Sequence, residues 1–239
     1  MKYLDVTFAQ PARNLACDEA LLNWFEAQRP DDGVLRLWQP ENYFVVLGHS
    51  NHWAAEVAAS MCAADGVPIL RRVSGGGTVL QGQGCLNYSL ILDCEISELQ
   101  NIESTFRYVL NRHGRLIAAL TGLKIAVEGI SDLTVSGRKF SGNAQYRKAR
   151  YALVHGTFLL NFDLVQIERY LRMPMKQPDY RQNRPHSDFV TNLPIDVDRL
   201  CEALRDEWQA RALLEVVPLD KIEGLVDERY GRPEWSNKF

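Results

Sequence analysis

The chain has 239 residues, a length that can close a hydrophobic core without disulfide bonds or metal ions. Its 27 basic and 30 acidic residues give a net charge of -3, which excludes a protein that binds nucleic acid through an overall positive charge. Apolar residues make up 46% and charged residues 24%, as in ordinary soluble globular proteins.

The cysteines and the N-terminal residues indicate a cytoplasmic protein. The five cysteines form no Cys-x-x-Cys pair, so they predict free thiols rather than a disulfide framework or a zinc site. Asp5 interrupts the apolar N-terminal residues, and no stretch approaches the roughly 18 apolar residues that span a bilayer. We therefore expect neither a membrane nor a nucleic-acid partner.

The first 92 residues predict two helices among four strands. Apolar residues three and four apart, among them Ala16, Ala20 and Phe25, predict an amphipathic helix from Asn14 to just before Pro30. The runs that follow alternate between β-rich and alanine-rich composition. They predict strands at 34–38, 43–47, 67–72 and 86–92 and a helix at 53–64.

The rest of the chain predicts one long helix, a β-rich block and a mainly helical end. Ser97 with Gln100 forms a predicted capping box for a helix that runs through Ala119. Between residues 124 and 161, glycines separate three or four short predicted strands, and helices predominate from Leu164 onward. The segment from Pro174 to Pro194 is rich in proline and predicts a long ordered loop or lid.

These elements predict an α+β fold in which mixed β-sheets are flanked by helices. Strands joined by short turns and interrupted by a few helices do not follow a regular βαβ alternation. We expect one domain over residues 1–239 with no separate C-terminal accessory domain, because the chain after Pro194 is too short to fold by itself.

The densest chemical signal is the glycine-rich segment from Arg71 to Val79. Three successive glycines after a strand let the backbone approach a ligand and turn several N–H groups toward one anion, which suits a carboxylate or a phosphate. Ser74 can add a hydroxyl group, and Arg71 or Arg72 a positive charge. The segment has neither the Lys-Ser/Thr of a Walker A loop nor the third glycine of a dinucleotide fingerprint. An ordinary turn between strands stays open as the alternative.

A second signal lies in residues 131–144, where a lysine stands between glycine-flanked strand segments. Lys139 is a candidate for holding a polyanion or a developing negative charge. Asp132 is a candidate for receiving an adenine amino group or a metal ion. A solvated lysine on a strand is the alternative for Lys139.

Two further features have more than one interpretation. The run from Arg138 to Arg150 carries five basic residues and no acidic one, which indicates either a protected sheet edge or a docking surface for an acidic partner. His155 follows an apolar strand and can either line an apolar pocket or sit as a satisfied core histidine. No spacing supports a Ser-His-Asp triad or a His-x-x-x-His metal pair. Trp38 taken alone is more typical of a core.

Together these segments resemble, in order and spacing, the lipoate-protein ligase A family, which is related to the biotin ligases. Residues 71–77 are similar to its Arg-Arg-x-Ser-Gly-Gly-Gly signature, and residues 84–89 to the end of the same motif. The other similar segments are Asp132-Leu133 with 137–144, then 155–160, the first-helix residues 14–16 and 18–21, and Glu234-Trp235. The resemblance spans nearly the whole chain.

The resemblance implies a biotin/lipoate ligase-like catalytic domain that uses ATP and Mg²⁺ to activate lipoate, or octanoate, to an acyl-adenylate. The acyl group then passes to a lysine of a lipoyl domain or of a glycine-cleavage H protein. By position, Lys139 is the implied catalytic residue, at the carboxylate and phosphate of the intermediate. The implied nucleotide side includes Asp132, directly or through Mg²⁺, and Thr157. Trp38, Ala144 and His155 are implied to line an acyl tunnel, and Ser74 to Gly77 to form a backbone cradle. The full set of implied binding residues is Trp38, Arg72, Ser74, Gly75, Gly76, Gly77, Thr78, Val79, Cys85, Asp132, Ala144, His155 and Thr157.

The chain departs from the family pattern in three places. Gln81-Gly82 stands where His-Asp is usual, and Cys85 stands where Asn is usual. Cys85 is either a small buried thiol or an acyl-carrying thiolate with a lowered pKa. Many members also carry a C-terminal accessory domain, whereas this chain stops just after Trp235. A partner protein then supplies that function, or the enzyme does without it, or the activity is incomplete.

Two other functions stay open. An octanoyl or lipoyl transferase of the same fold takes its acyl group from a carrier protein without ATP. Cysteine-dependent relatives carry their nucleophile in the loop that corresponds to residues 127–131, which contains no cysteine here. A non-catalytic module that binds lipoyl domains or senses lipoate is of a different class, and the presence of Lys139 argues against it.

Overall fold

The computed structural model describes residues 1–239. The nine α-helices are α1 Pro11–Gln28, α2 Trp53–Glu56, α3 Ala59–Asp65, α4 Ile102–Thr121, α5 Val165–Tyr170, α6 His186–Phe189, α7 Val197–Glu207, α8 Leu219–Leu225 and α9 Pro233–Ser236. The eleven strands are β1 Lys2–Asp5, β2 Val34–Trp38, β3 Phe44–Leu47, β4 Ile69–Arg71, β5 Val79–Gln81, β6 Cys85–Asp93, β7 Ile125–Glu128, β8 Asp132–Val135, β9 Arg138–Arg147, β10 Tyr151–Leu159 and β11 Ala212–Leu213.

The strands form two sheets, and both are mixed. The larger sheet has eight strands in the order β11-β1-β2-β6-β10-β9-β8-β7, and the smaller has three in the order β4-β3-β5. Strand β1 is parallel to β2 and to β11, while the neighbours from β2 to β7 are antiparallel. The predicted α+β fold with mixed sheets and flanking helices is therefore confirmed. Strands β1, β5 and β11 were not predicted from the sequence.

Helices cover the two faces of the larger sheet with separate hydrophobic cores. Helix α1 packs against one face with Ala16, Ala20 and Phe25, as its spacing predicts, beside the inward residues of β2, β6 and β10. Helix α4 packs against the opposite face, where Phe106 and Leu110 meet the alternate residues of the same strands. None of the helices combines the length and apolarity that crossing a bilayer requires.

Two predicted helix boundaries were wrong, for reasons of backbone hydrogen bonding. The helix predicted at 53–64 breaks into α2 and α3, because Val57 is extended and forms a β-bridge with Leu171. The predicted capping box at Ser97 is replaced by one at Asn101, whose side chain accepts from the Ser104 N–H at 2.8 Å. Ser97 instead begins a short 3-10 helix that ends at the buried Leu99.

Strand register places polar residues in two rows on the face of the larger sheet that carries α1. Alternate residues of a strand share a face, so residues paired across neighbouring strands form rows. One row is Arg36, Ser89, His155 and Ala144, and the next is Trp38, Asn87, Thr157, Gly142 and Asp132. These rows bring together candidate residues from four strands, β2, β8, β9 and β10.

Candidate functional site

A cavity of about 880 Å³ opens over these two rows. The smaller sheet with its glycine-rich loop forms a second wall, and residues 171–190, which include most of the proline-rich segment, form a third. Eleven of the fourteen candidate residues line it: Trp38, Arg72, Gly76, Gly77, Thr78, Val79, Asp132, Lys139, Ala144, His155 and Thr157. Ser74, Gly75 and Cys85 do not line it. The predicted lid segment is ordered and includes a 3-10 helix and α6.

A β-bulge aims Lys139 into the cavity. Leu133 pairs with Ser141 but Thr134 pairs with Lys139, so Phe140 is an extra residue in β9. A bulge reverses the inward and outward alternation of a strand. Phe140 therefore enters the α4 core, and Lys139 emerges on the face of Gly142 and Ala144.

The ammonium group of Lys139 is held by one carboxylate. Lys139 Nζ lies 2.7 Å from Asp132 Oδ1, and the Tyr180 hydroxyl donates to Asp132 Oδ2 at 2.7 Å. The lysine side chain passes over Gly142, where an added Cβ would lie 2.7 Å from both Lys139 Cε and Nζ. Glycine at this position therefore leaves the space through which the lysine reaches the cavity.

The glycine-rich loop turns backbone N–H groups away from a buried arginine. The Arg72 guanidinium donates to the carbonyl oxygens of Gly75 and Gly77 at 2.6 and 2.9 Å. Because a trans peptide points its N–H opposite to its C=O, the N–H groups of Gly76 and Thr78 point away from Arg72. Neither N–H donates to a protein acceptor. Free N–H groups on one side of the loop are what the predicted anion cradle requires.

Only glycine can occupy position 76 in this loop. Its φ of 92° is a left-handed conformation, and an added Cβ would lie 2.8 Å from Arg72 Nη2. Arg72 has no carboxylate partner, and burial lowers its pKa to about 10, so the guanidinium remains protonated near neutral pH. The cradle therefore carries a fixed positive charge behind it.

Helix α1 and strand β2 orient His155. Arg36 Nη1 donates to Asp18 Oδ1 at 2.7 Å, and His155 Nδ1 lies 3.2 Å from Asp18 Oδ2. Burial would raise the pKa of Asp18, but Arg36 and His155 hold it below its ordinary value, so Asp18 is ionised. In the tautomer that carries its proton on Nδ1, His155 donates to Asp18, and Nε2 accepts from the Ser74 hydroxyl at 2.6 Å. Arg72 Nε in turn donates to Ser74 Oγ at 3.0 Å.

Ser74 is placed to orient its neighbours rather than to act as a nucleophile. Ser74, His155 and Asp18 have the hydrogen-bond order of a catalytic triad, which their spacing in the sequence does not indicate. Ser74 is fully buried behind the loop and does not line the cavity. Its hydroxyl connects the glycine-rich loop to the sheet.

The departure at Gln81 is accommodated by a closed ring of side-chain hydrogen bonds. Gln81 Nε2 donates to Thr157 Oγ1 at 2.6 Å, Thr157 donates to Asn87 Oδ1 at 2.5 Å, and Asn87 Nδ2 donates to Gln81 Oε1 at 2.9 Å. All three side chains line the cavity. An amide at position 81 therefore fixes the hydroxyl of Thr157 without any charged group.

Cys85 is a buried thiol and not part of the cavity wall. Its side chain packs in the core formed by the smaller sheet and α5, with Leu80 and Phe162. Burial raises the pKa of Cys85 to about 12, so a thiolate is disfavoured. The predicted contact of Cys85 with substrate is therefore corrected: the first of its two interpretations, a small buried thiol, is the one that this position supports.

The basic run from Arg138 to Arg150 is not a sheet edge, and most of its charges are used within the fold. Strand β9 lies inside the sheet between β8 and β10, so it is no edge strand. Arg138 donates to the Ser187 and Val190 carbonyls, Arg147 to the Leu99 carbonyl, and Arg150 pairs with Asp93. Three of the five basic residues thus stabilise the fold, which weakens the interpretation as a docking surface.

Sequence reasoning missed several residues that line the cavity or orient its walls. Asp18 follows Asn14 by one helical turn, and both accept from Arg36, so a buried polar pair on α1 was a usable signal. Gln81 was identified only as a departure from the family pattern, with no role in the cavity wall. The cavity-wall residues Glu56, Tyr180 and Arg181 carry no motif.

The chain matches the family model of the lipoyl protein ligase A/B catalytic domain over residues 10–209. A probable lipoate-protein ligase A of Mycoplasma pneumoniae is 35% identical over 95% of this chain and 68% of its own length. A provisionally named lipoate-protein ligase A of Aeropyrum pernix is 31% identical over 89% of this chain and 76% of its own length.

More distant proteins share the fold. The octanoyltransferase LipM of Brevibacillus brevis is 24% identical over 98% of both chains. A structure of a bi-partite lipoate protein ligase from Thermoplasma acidophilum, studied with its E2 lipoyl domain, superposes with a TM-score of 0.83. It is 22% identical, and the match covers 100% of this chain and 96% of that one.

Proposed function

Because the chain belongs to the lipoyl protein ligase A/B catalytic domain family, we propose that it is a lipoate-protein ligase that forms an acyl-adenylate. In the first step, a carboxylate oxygen of lipoate, or of octanoate, attacks the α-phosphorus of ATP. The bond from that phosphorus to the bridging oxygen breaks, and its electron pair leaves with pyrophosphate. In the second step, the neutral amine of an acceptor lysine attacks the acyl carbon, AMP leaves, and the amine loses its proton.

The position of Lys139 is the observation that carries this proposal. Its ammonium group lies beside Asp132 in the cavity that the glycine-rich loop also lines, and the bulge at Phe140 fixes its direction. Both steps concentrate negative charge on phosphate and acyl oxygens. An ammonium group fixed at that point stabilises the charge as it develops, because it needs no reorganisation during the reaction. Lys139 is the catalytic residue of the proposal.

The other walls hold the two substrates against each other. The unpaired N–H groups of Gly76 and Thr78 suit the carboxylate or the α-phosphate. Trp38, Ala144 and the oriented His155 suit the acyl chain, and Thr157 with Asp132 suits the nucleotide. A volume of about 880 Å³ lies near the upper end of the usual ligand-pocket range of roughly 300–1,000 Å³, so both substrates can occupy it together.

A magnesium ion fits this site only when the phosphates of ATP supply most of its ligands. No three His, Cys, Asp or Glu side chains come together to hold a metal ion. Protein-bound Mg²⁺ is commonly held by one or two carboxylates together with substrate phosphates, and Asp132 can supply such a carboxylate. When bound, the ion neutralises phosphate charge. Asp132 meanwhile orients Lys139 and Tyr180 through its two oxygens.

We propose a lysine of a lipoyl domain or an H-protein-like domain as the acyl acceptor, in the cytoplasm. The E2 lipoyl domain studied with the Thermoplasma acidophilum ligase supports this class of acceptor. We further propose that residues 1–239 act as one catalytic domain, and activity of this chain without an added subunit is the test. A requirement for a separate accessory subunit would contradict that part alone.

The proposed function is tested by lipoate- and octanoate-dependent exchange of labelled pyrophosphate into ATP. We expect exchange by the purified chain and a loss of about 100-fold or more in Lys139→Ala, because a fixed charge at the reacting atoms is removed. Lys148→Ala is the matched control, since Lys148 lies in the β9–β10 turn away from the cavity. Transfer to a lipoyl domain is followed by the mass of the acceptor.

Two outcomes would replace the proposal with another function. Acyl transfer from a carrier protein without ATP, and without exchange, would make the protein a transferase. Cysteine catalysis in such an enzyme is disfavoured here because no cysteine lines the cavity. Binding of lipoate or a lipoyl domain with neither reaction would make it a binding module.

A further inference from the structure

The proline-rich wall of the cavity carries a buried arginine without a carboxylate partner. Arg181 is 4% exposed and lines the cavity, yet no Asp or Glu lies within ion-pair distance of it. Its Nε donates to the Arg184 carbonyl at 3.0 Å, and its Nη2 contacts Met173 Sδ at 3.3 Å. Its Nη1 donates to no protein atom.

A second guanidinium group lies beside it. Arg181 and Arg184 both stack on the Phe189 ring, at 4.5 and 5.3 Å from its centroid. Burial and the neighbouring Arg184 both lower the pKa of Arg181. An unpaired buried cation is costly, so a wall that retains one is suited to an anion that arrives with a ligand.

The positive charges of the cavity lie on two parts of its wall. Lys139, Arg72 and the glycine-rich loop form the first group. The second lies on residues 171–190, where Arg181 and the exposed Arg172 and Lys176 line the same cavity. Asp179 is the single acidic residue among the lining residues of that stretch. Tyr180 joins the groups, because its hydroxyl holds the carboxylate that holds Lys139.

The negative charges of the substrates in the proposed reaction also fall into two groups. The acyl-adenylate retains one phosphate, whereas the leaving pyrophosphate carries most of the negative charge of ATP. A planar guanidinium with free N–H groups binds such an anion through two oxygens at once. We propose that Arg181, assisted by Lys176, binds the pyrophosphate moiety of ATP and the pyrophosphate that leaves; this assignment rests on the proposed function.

The test is calorimetric binding of inorganic pyrophosphate alone to the full chain. Arg181→Met keeps a long apolar side chain against Phe189 and removes the charge. We expect its pyrophosphate affinity to fall by roughly tenfold to hundredfold, the loss of a hydrogen-bonded ion pair. Transfer of the acyl group from supplied lipoyl-adenylate to a lipoyl domain is expected to be unchanged. Arg169→Met is the matched control, because Arg169 pairs with Asp65 outside the cavity.

Each outcome supports or overturns the assignment. Equal pyrophosphate affinity in wild type and Arg181→Met would overturn it, as would loss of acyl transfer from the supplied adenylate with pyrophosphate binding intact. If thermal melting shows that Arg181→Met does not fold, Lys176→Gln decides. Because that side chain is exposed, we expect the pyrophosphate affinity of Lys176→Gln to fall by about two- to fivefold. An unchanged affinity would overturn the assignment. Pyrophosphate binding by a wild type that shows no lipoate-dependent exchange would contradict the proposed function alone.

Discussion

Two walls of the same cavity satisfy their charges in different ways. The relay wall comprises Asp18, His155 and Arg72 at the cavity surface, with Arg36 and Ser74 buried behind them. The anion wall comprises Lys139, Asp132, Tyr180 and Arg181. In the relay wall each donor faces an acceptor, and all five N–H groups of Arg36 are used on Asp18, Asn14 and the Val6 carbonyl. In the anion wall one carboxylate serves both a lysine and a tyrosine, and Arg181 keeps free N–H groups.

This difference separates residues that shape the site from residues that respond to substrate. A fully paired buried network loses free energy when any member is removed, because its partner is left uncompensated. A wall with unused donors gains its partners only when a ligand binds. Substitutions in the relay wall should therefore lower stability first, and substitutions in the anion wall should lower affinity or rate with little effect on stability.

Arg36→Met is the most severe test of the relay wall. The substitution leaves the buried Asp18 carboxylate without its arginine partner, and uncompensated buried charges cost about 3–5 kcal/mol. We expect the free energy of unfolding in urea to fall by that amount. Arg169→Met removes an exposed ion pair and should change the free energy of unfolding by less than about 1 kcal/mol. Equal losses in the two variants would contradict the comparison.

Asp18→Asn should lower the free energy of unfolding by less than Arg36→Met does. It should also change how stability depends on pH in acid. The amide still accepts from Arg36, so we expect a loss of about 2–3 kcal/mol at neutral pH. Arg36 and His155 hold the pKa of Asp18 below its ordinary value, which is about 3.9 in an unfolded chain. The stabilisation by this carboxylate is therefore complete above that value and is lost as pH falls through the lower, folded pKa.

The measurement is urea unfolding of wild type and Asp18→Asn from pH 7 downward. The gap between the two proteins should stay constant above pH of about 4 and close below it. The exposed Asp206 provides the control, since Asp206→Asn should leave the wild-type profile unchanged. A gap that is independent of pH would show that Asp18 does not act as a carboxylate.

Gly142→Ala tests the anion wall through Lys139. The added Cβ would lie 2.7 Å from the end of the lysine side chain, which is flexible and can move aside. We expect stability within about 1 kcal/mol of wild type but adenylate formation slower by about 10- to 100-fold, because misplacement of a catalytic group by an ångström has that effect. Gly224→Ala, where no atom lies near the added Cβ, is the control. Unchanged exchange activity would show that Lys139 does not need its present position.

Contiguous features of the anion wall and the glycine-rich loop could be predicted from the sequence. The loop from Ser74 to Gly77 and the strand around Lys139 carry their chemistry within a few residues, and both line or support the cavity. The bulge at Phe140 could not be predicted, because it depends on which residue of β8 pairs with which residue of β9. Without that register, Lys139 would be assigned to the wrong face of the sheet.

The relay wall could not be predicted for a different reason. Asp18 and His155 are 137 residues apart in the chain, and they meet only because α1 packs across β10. The sheet rows that gather Trp38, Thr157 and Asp132 likewise depend on strand order. Local periodicity does predict the elements themselves, and the two failures in helix boundaries both arose where a distant segment or a better cap competed for backbone hydrogen bonds.

Tyr180→Phe should have the smallest effect and tests the shared carboxylate directly. The phenyl ring keeps the contact with Phe189, whose centroid is 5.2 Å away, so thermal stability should change little. Asp132 loses the hydroxyl that donates to Oδ2 and therefore holds the Lys139 ammonium more strongly. Loss of one net hydrogen bond is worth about 1 kcal/mol, which corresponds to a fall of roughly fivefold in the rate of adenylate formation. Tyr108→Phe, which removes a hydroxyl bound by Arg112 on α4, should leave that rate unchanged. If Tyr180→Phe instead lowered stability and left the rate intact, Tyr180 would belong with the paired, structural residues of the relay wall.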